Sequence, residues 1–81
     1  MNKVALITGA GRGIGMGIAM ALASEGCDIA IMDIHPEEVV ISALNELRNQ
    51  GSQVLYCRAD VTDAEARTDM LEEIISRFGR L

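Results

Sequence analysis

Three short apolar runs, Val4-Ala5-Leu6-Ile7, Ile29-Ala30-Ile31-Met32 and Val54-Leu55-Tyr56-Cys57, are each followed by a longer stretch in which apolar residues recur every three or four positions. The runs lack the in-out alternation of a half-buried strand and read as parallel strands covered on both faces. Parallel neighbours need long crossovers, and the periodic stretches supply them as helices. In the first, about Ile14 to Glu25, Ile14, Ile18 and Leu22 lie four apart with Ala19 and Ala23 beside them, which predicts a closely packed helix ended by Gly26. The second opens at Pro36, a favoured first helical position, with Glu37 and Glu38 in its first turn, a stripe of Val40, Ala43, Leu44 and Leu47, and Gly51 beyond its end. In the third, Thr62-x-x-Glu65 predicts a capping box, Met70, Leu71, Ile74, Ile75 and Phe78 mark the buried face, and Gly79 follows.

The order β-α-β-α-β-α is half of a doubly wound parallel α/β sheet, with strands expected in the order 3-2-1. Three connections all running in one direction would set all three helices on a common side of the sheet. The first strand would keep one edge without a partner, and such an edge invites pairing with another chain.

Composition narrows the class further. With 81 residues the chain is one domain at most, and with 49 % apolar residues but only Tyr56 and Phe78 aromatic, its core must be aliphatic. The formal charge of −5, with seven Lys and Arg scattered singly, argues against a nucleic-acid footprint. No run approaches the roughly 20 apolar residues that span a bilayer, and the apolar stretch after Met1-Asn2-Lys3 is too short for a signal peptide, so the reading is cytoplasmic, without a membrane partner. Cys27 and Cys57 form no C-x-x-C and His35 is the single histidine, so no metal site is expected. The cysteines read as small buried hydrophobes and His35 as a solvent-facing loop residue.

The most informative segment is Thr8-Gly9-Ala10-Gly11-Arg12-Gly13-Ile14-Gly15, at the junction of the first strand and first helix. A turn that brings backbone amides against a diphosphate cannot carry Cβ atoms at its closest approach, and some of its residues need φ > 0. No lysine follows Gly13 or Gly15, which excludes a P-loop, and no frame completes G-x-G-x-x-G. The spacing that fits is T-G-x-x-x-G-x-G, through Thr8, Gly9, Gly13 and Gly15. In this it resembles the short-chain dehydrogenase/reductase family, including its 3-oxoacyl-acyl-carrier-protein reductase-like members. The resemblance implies a Rossmann-type three-layer fold, with residues 1–81 as a dinucleotide-binding half-domain truncated before the fourth strand.

Asp33 closes the second strand, where a carboxylate can accept from the adenosine ribose hydroxyls and repel a 2′-phosphate; an exposed strand-end acid or a cap for the next helix is the plainer reading. Arg12 pulls the other way, since in some members an arginine inside the glycine turn helps hold that phosphate. The expected cofactor is NAD, with NADP less favoured. Asp60-Val61-Thr62 is similar to the family's D-V-T segment, whose acid and following amide contact adenine; a turn acid, a hydrophobic staple against Ala66 and a cap are the alternatives. The expected cofactor-binding set is Gly9, Gly11, Arg12, Gly13, Ile14, Gly15, Asp33, Ile34, Asp60 and Val61. Arg77-Phe78-Gly79-Arg80-Leu81 is similar to the family's entry into the fourth strand.

The family's catalytic serine and Tyr-x-x-x-Lys have no counterpart, because Tyr56 is followed by Cys57-Arg58-Ala59-Asp60; Tyr56 reads as packing, and no catalytic residue is assigned. The resemblance implies an oxidoreductase fragment whose parent, a tetramer or dimer, transfers hydride between nicotinamide and a carbonyl or alcohol carbon of a small molecule. A 3-oxoacyl thioester, a sugar, a steroid and a simple alcohol all remain open as substrates. The alternative is a stand-alone dinucleotide-binding or interaction module without catalysis; the gene beyond Leu81 discriminates the two.

Overall fold

The computed structural model describes residues 3–9 and 13–79. They form β1 (Val4–Thr8), α1 (Gly13–Ser24), β2 (Asp28–Asp33), α2 (Glu37–Asn49), β3 (Val54–Arg58) and α3 (Ala64–Phe78). The strands are parallel in the order β1-β2-β3, with Ile7 opposite Ile31 and Ile31 opposite Tyr56. β2 is buried at all six positions because it is paired on both edges and covered on both faces, which is why its four inner residues, Ile29 to Met32, form a continuous apolar run between Asp28 and Asp33.

The two faces carry separate cores. On one, Met16, Ala19 and Ala23 of α1 and Val40, Leu44 and Leu47 of α2 pack on Ile29, Ile31 and Val54. On the other, Met70, Ile74 and Phe78 of α3 pack on Ala30, Met32 and Leu55, with Val4 and Leu6 alongside. The expectation of three helices on one side is therefore corrected: α3 lies opposite α1 and α2. Right-handed crossovers that step from β1 to β2 to β3 keep α1 and α2 on one face. A helix leaving β3 on the opposite face and packing back across β2 to β1 belongs to a connection running the other way, the reversal that defines a doubly wound sheet.

The apolar stripes are also corrected. Ile14 is 87 % exposed and Ile18 50 %, whereas Met16, Ala19 and Ala23 form the buried line of α1. On α3, Leu71 and Ile75 are exposed beside the buried Met70, Ile74 and Phe78. Leu22, as expected, packs against the core, and helical spacing puts Ile18 on the flank of α1 opposite Met20, whose sulfur meets Gln50 at the end of α2. Leu71 lines a cavity of about 140 Å³ with Leu6 and Thr8 of β1. The two apolar flanks thus lie on opposite faces of the sheet.

The helix ends follow their chemistry with one exception. Pro36 is the N-cap of α2 and not its first residue, and its carbonyl accepts from Val39 N at 3.0 Å. Gly79 closes α3 in the left-handed region at φ 79°, its amide bonded to the Ile75 carbonyl at 2.8 Å. The exception is the start of α3: the cap is Asp63, whose Oδ1 accepts from Glu65 N at 3.0 Å and Ala66 N at 3.2 Å, and not Thr62. Thr62 instead bonds to Asp60, so the expected capping box is displaced by one residue and its Glu65 has no reciprocal role. An N-cap carboxylate contributes about 1 kcal/mol (range 0.5–2). Asp63→Ala is accordingly expected to destabilise the full-length protein by about 1 kcal/mol in urea denaturation, with faster amide exchange at Glu65 and Ala66. Thr62→Ala leaves those two amides protected.

Candidate functional site

Because the strands are parallel, the chain leaves β1, β2 and β3 at one rim, and the loops after them converge there. The ladder runs on past the strands: Gly9 N donates to the Met32 carbonyl at 2.9 Å and Ala59 N to the Asp33 carbonyl at 2.8 Å. The three exits are thereby held side by side around a cleft of about 200 Å³ lined by Gly9, Met32, Asp33, Ile34, Ala59, Asp60 and Val61. Five of the ten expected binding residues meet at this one place.

Gly9 and Gly13 bracket the glycine turn with φ of 68° and 66°, a conformation that costs a residue with a Cβ about 1–2 kcal/mol. A Cβ built on either would meet nothing within 4 Å, so backbone conformation, not internal crowding, demands glycine, and the space in front of both is open. Gly13 opens α1, Ile14 projects into solvent and Gly15 is half-buried. The expected contacts through Gly11 and Arg12 lie outside the described residues. Since the Gly9 amide is committed to Met32, donors for an anion must come from later in the turn and from the first turn of α1, where amides lack intrahelical acceptors.

Asp33 is buried, and its Oδ1 accepts from its neighbour's amide, Ile34 N, at 2.6 Å. Ile34 itself is exposed at the cleft. Across it, Asp60 Oδ1 takes both donors of Thr62, the amide at 2.9 Å and the hydroxyl at 2.8 Å. These two bonds hold the Asp60 carboxyl below the usual carboxylate range. Because both converge on Oδ1, the acceptor capacity of Oδ2 is the larger remaining share. Arg67 fixes the next residue by donating to the Val61 carbonyl at 2.6 Å.

Sequence reading missed the residues that brace this rim. Tyr56 Oη donates to the His35 carbonyl at 2.5 Å and Arg58 Nε to the Ile34 carbonyl at 3.1 Å. Burial pushes the Tyr56 phenol above its ordinary value, with the charges of Asp33 and Glu37 adding and Arg58 opposing. Tyr56 does pack against the α1/α2 core as expected, but its hydroxyl also braces the rim. His35, expected to face solvent, is half-buried. The available signal was position: Tyr56 and Arg58 are two apart on one face at the carboxyl end of a strand, where doubly wound sheets place their sites. Cys27 and Cys57 are half-buried and unbridged, and burial pushes the Cys57 thiol up, with Glu73 and Asp69 adding to the effect. No helix among the described residues is long and apolar enough to cross a membrane, and no group of three metal-ligating side chains occurs among them.

A parallel α/β sheet with a glycine turn at the first strand exit and acids at the second and third defines a nucleotide-binding architecture. The family model for short chain dehydrogenases matches residues 3–81, and the chain belongs to that family. It is 38 % identical over 81 residues to 3-oxoacyl-(acyl-carrier-protein) reductase of Staphylococcus aureus, covering 100 % of this chain and 33 % of that protein. Among solved structures it superposes with a TM-score of 0.89 on carveol dehydrogenase from Mycobacterium avium in complex with NAD, at 31 % identity over 98 % of this chain and 32 % of that one. An NAD+-bound xylitol dehydrogenase matches with a TM-score of 0.88 at 35 % identity, over 98 % and 30 % of the two chains. The chain thus spans about a third of the length of these relatives.

The depressed Asp60 carboxyl has a checkable cause. A carboxylate whose folded pKa is lowered contributes stability that is complete above its unfolded value, near 3.8, and lost as pH falls through the lower folded value. Thr62→Val removes the hydroxyl bond and keeps the amide bond. The Asp60 carboxyl carbon, followed by NMR, is expected to titrate at higher pH in that variant; an unchanged midpoint would show that the hydroxyl has no part in the shift.

Proposed function

We propose that this rim holds the adenosine diphosphate half of a nicotinamide dinucleotide, and that residues 1–81 are the cofactor-binding half-domain of an oxidoreductase. The parent protein moves a hydride between the nicotinamide ring and a carbonyl or alcohol carbon of a small molecule. The observation that carries this reading is the one cleft shared by Gly9, Asp33, Ile34, Asp60 and Val61, with open space in front of Gly9 and Gly13. The described residues fit the group: the Gly9 amide is taken by Met32 but no Cβ stands in the way at Gly9 or Gly13, and the backbone amides of Gly11, Arg12, Gly13, Ile14 and Gly15 would receive the diphosphate. Helix-terminal charge adds about 0.3–1 kcal/mol at exposed positions.

Asp33 accepts from the adenosine ribose hydroxyls. Asp60 accepts from the adenine amino group while the Val61 amide faces a ring nitrogen. A carboxylate at the ribose favours NAD over NADP, because a 2′-phosphate beside it sets like charges together. NAD supplies the hydride chemistry when bound; the chain described here orients its adenosine end and leaves acid–base work to the remaining two-thirds of a full-length relative. The substrate is a small molecule, neither nucleic acid nor membrane lipid. Family membership supports a cytoplasmic homo-oligomer, a tetramer or dimer.

Cofactor titration of the full-length protein tests the ribose assignment. NAD is expected to bind more tightly than NADP. Asp33→Ala should weaken NAD by roughly 10- to 100-fold, as loss of a charged acceptor worth about 1.5–3 kcal/mol implies, and should narrow the preference. Tighter binding of NADP by the unmodified protein would overturn the assignment. The adenine contact is tested with the hypoxanthine analogue of NAD, in which a carbonyl replaces the amino group and the ring nitrogen carries a proton. It should bind at least about tenfold more weakly than NAD, since Asp60 and the Val61 amide then face an acceptor and a donor like themselves. Equal affinity for the two would remove Asp60 and Val61 from the site.

A further inference from the structure

Three consecutive carbonyls leave β2 at the rim, and each is met by a donor from β3 or the residue after it. Asp33 O takes Ala59 N at 2.8 Å, Ile34 O takes Arg58 Nε at 3.1 Å, and His35 O takes Tyr56 Oη at 2.5 Å. The first of these is the last rung of the β2–β3 ladder; the other two come from side chains. The peptide between Asp33 and Ile34 is pinned at both ends, because its N–H meets Asp33 Oδ1 at 2.6 Å while its carbonyl meets Ala59. The next peptide is held through its carbonyl by Arg58. The third, which precedes Pro36 and has no N–H to give, is held through its carbonyl by Tyr56.

We infer that Arg58 and Tyr56 are positioning residues that set the Asp33 carboxylate for the adenosine ribose by pinning the two peptides that come after it. This rests on the dinucleotide reading and goes beyond it, because both side chains act on the backbone next to Asp33 and not on the cofactor itself. Asp33 and Arg58 are register partners on adjacent strands, and Arg58 spends its Nε–H on the Ile34 carbonyl, one residue beyond the acid. A cation at that place would ordinarily favour a 2′-phosphate. Here it is turned to hold the segment that presents a carboxylate. Release of Arg58 frees the Ile34–His35 peptide to rotate about the Ile34 Cα, and the Asp33–Ile34 peptide, whose N–H orients Asp33 Oδ1, loses the fixed neighbour that steadies its far side. Tyr56 acts one peptide further on, and its ring is already seated against the α1/α2 core, so its hydroxyl is a fixed anchor.

The test uses the full-length protein with two probes, NAD and its analogue lacking the adenosine 2′-hydroxyl. The ratio of their dissociation constants reads how well the carboxylate meets the ribose, and a general loss of stability does not move it. For the unmodified protein the ratio is expected to favour NAD. Arg58→Ala and Tyr56→Phe should each shrink the ratio by about five- to tenfold, the order of one hydrogen bond, with kcat at saturating NAD unchanged. Arg58→Lys, which keeps a donor, should restore part of it. Arg58 is exposed, so its replacement leaves the core untouched and decides the matter even where Tyr56→Phe folds poorly. An unchanged ratio in Arg58→Ala overturns the inference and leaves the cofactor reading standing. So does a variant that loses NADP affinity alone, which would make Arg58 a phosphate ligand. Failure of the unmodified protein to bind NAD overturns both.

Discussion

Everything at the rim depends on β2 being paired along both edges at once. A strand with β1 on one side and β3 on the other, both parallel to it, dictates that all three strands end at the same level and that the chain emerges three times along one short rim. The extra rungs from Gly9 to Met32 and from Ala59 to Asp33 carry that alignment one residue beyond the strands. Complete burial of Ile29, Ile31, Ala30 and Met32 on the two faces makes the arrangement stiff, since any shift of β2 along its axis would break two ladders and two cores together. The opposite end of the sheet is stitched as well: Ser52 Oγ donates to the Cys27 carbonyl at 2.6 Å and Gln53 N to Asp28 Oδ1 at 2.9 Å.

On that scaffold three acidic side chains share one habit. Asp33, Asp60 and Asp63 each spend Oδ1 on backbone amides one to three residues ahead. The habit has two outcomes. At Asp63 it starts a helix. At Asp33 and Asp60 it fixes a carboxylate at the edge of a cleft, where an orientation settled before binding saves the entropy of ordering a free side chain. Residue type does not separate the two cases; chain position does. The helix α3 unrolls directly from Asp63, whereas Asp33 and Asp60 stand at strand exits.

Local chemistry of this kind decides how much of the molecule is legible in its sequence. The strands, their order, the strand-to-helix junction at Gly9 and Gly13 and the positions of the acids after the second and third strands were legible, because continuous apolar runs, glycine spacing and carboxylates at strand ends each have one strong physical reading. Which of two adjacent residues caps α3 was not, since Thr62 and Asp63 are both good caps and the choice was made by Asp60 claiming the threonine. The side on which α3 packs was hidden too, because an amphipathic pattern records that a face is buried but not against which layer. The bracing carbonyl contacts of Tyr56 and Arg58 are long-range in sequence, 21 and 24 residues apart, and no local pattern announces them.

The apolar stripes that disagree with the burial carry the most information about the whole. Ile14 and Ile18 on α1, and Leu71 and Ile75 on α3, have the helical spacing of core residues, yet all four are exposed. They are not scattered. Leu71 lines a cavity with Leu6 and Thr8 of β1, with Ile75 one turn further along the same flank of α3, and Ile14 and Ile18 share a flank of α1 on the other face of the sheet. The spacing of these stripes therefore has no buried counterpart among the described residues. α3 lies on the face from which a right-handed connection returning over β2 delivers the chain beyond β1. On the proposed reading the labour is divided along the rim: Asp33 and Asp60 at the exits of β2 and β3 would hold the adenosine end of the cofactor, and the turn after β1 would hold its diphosphate.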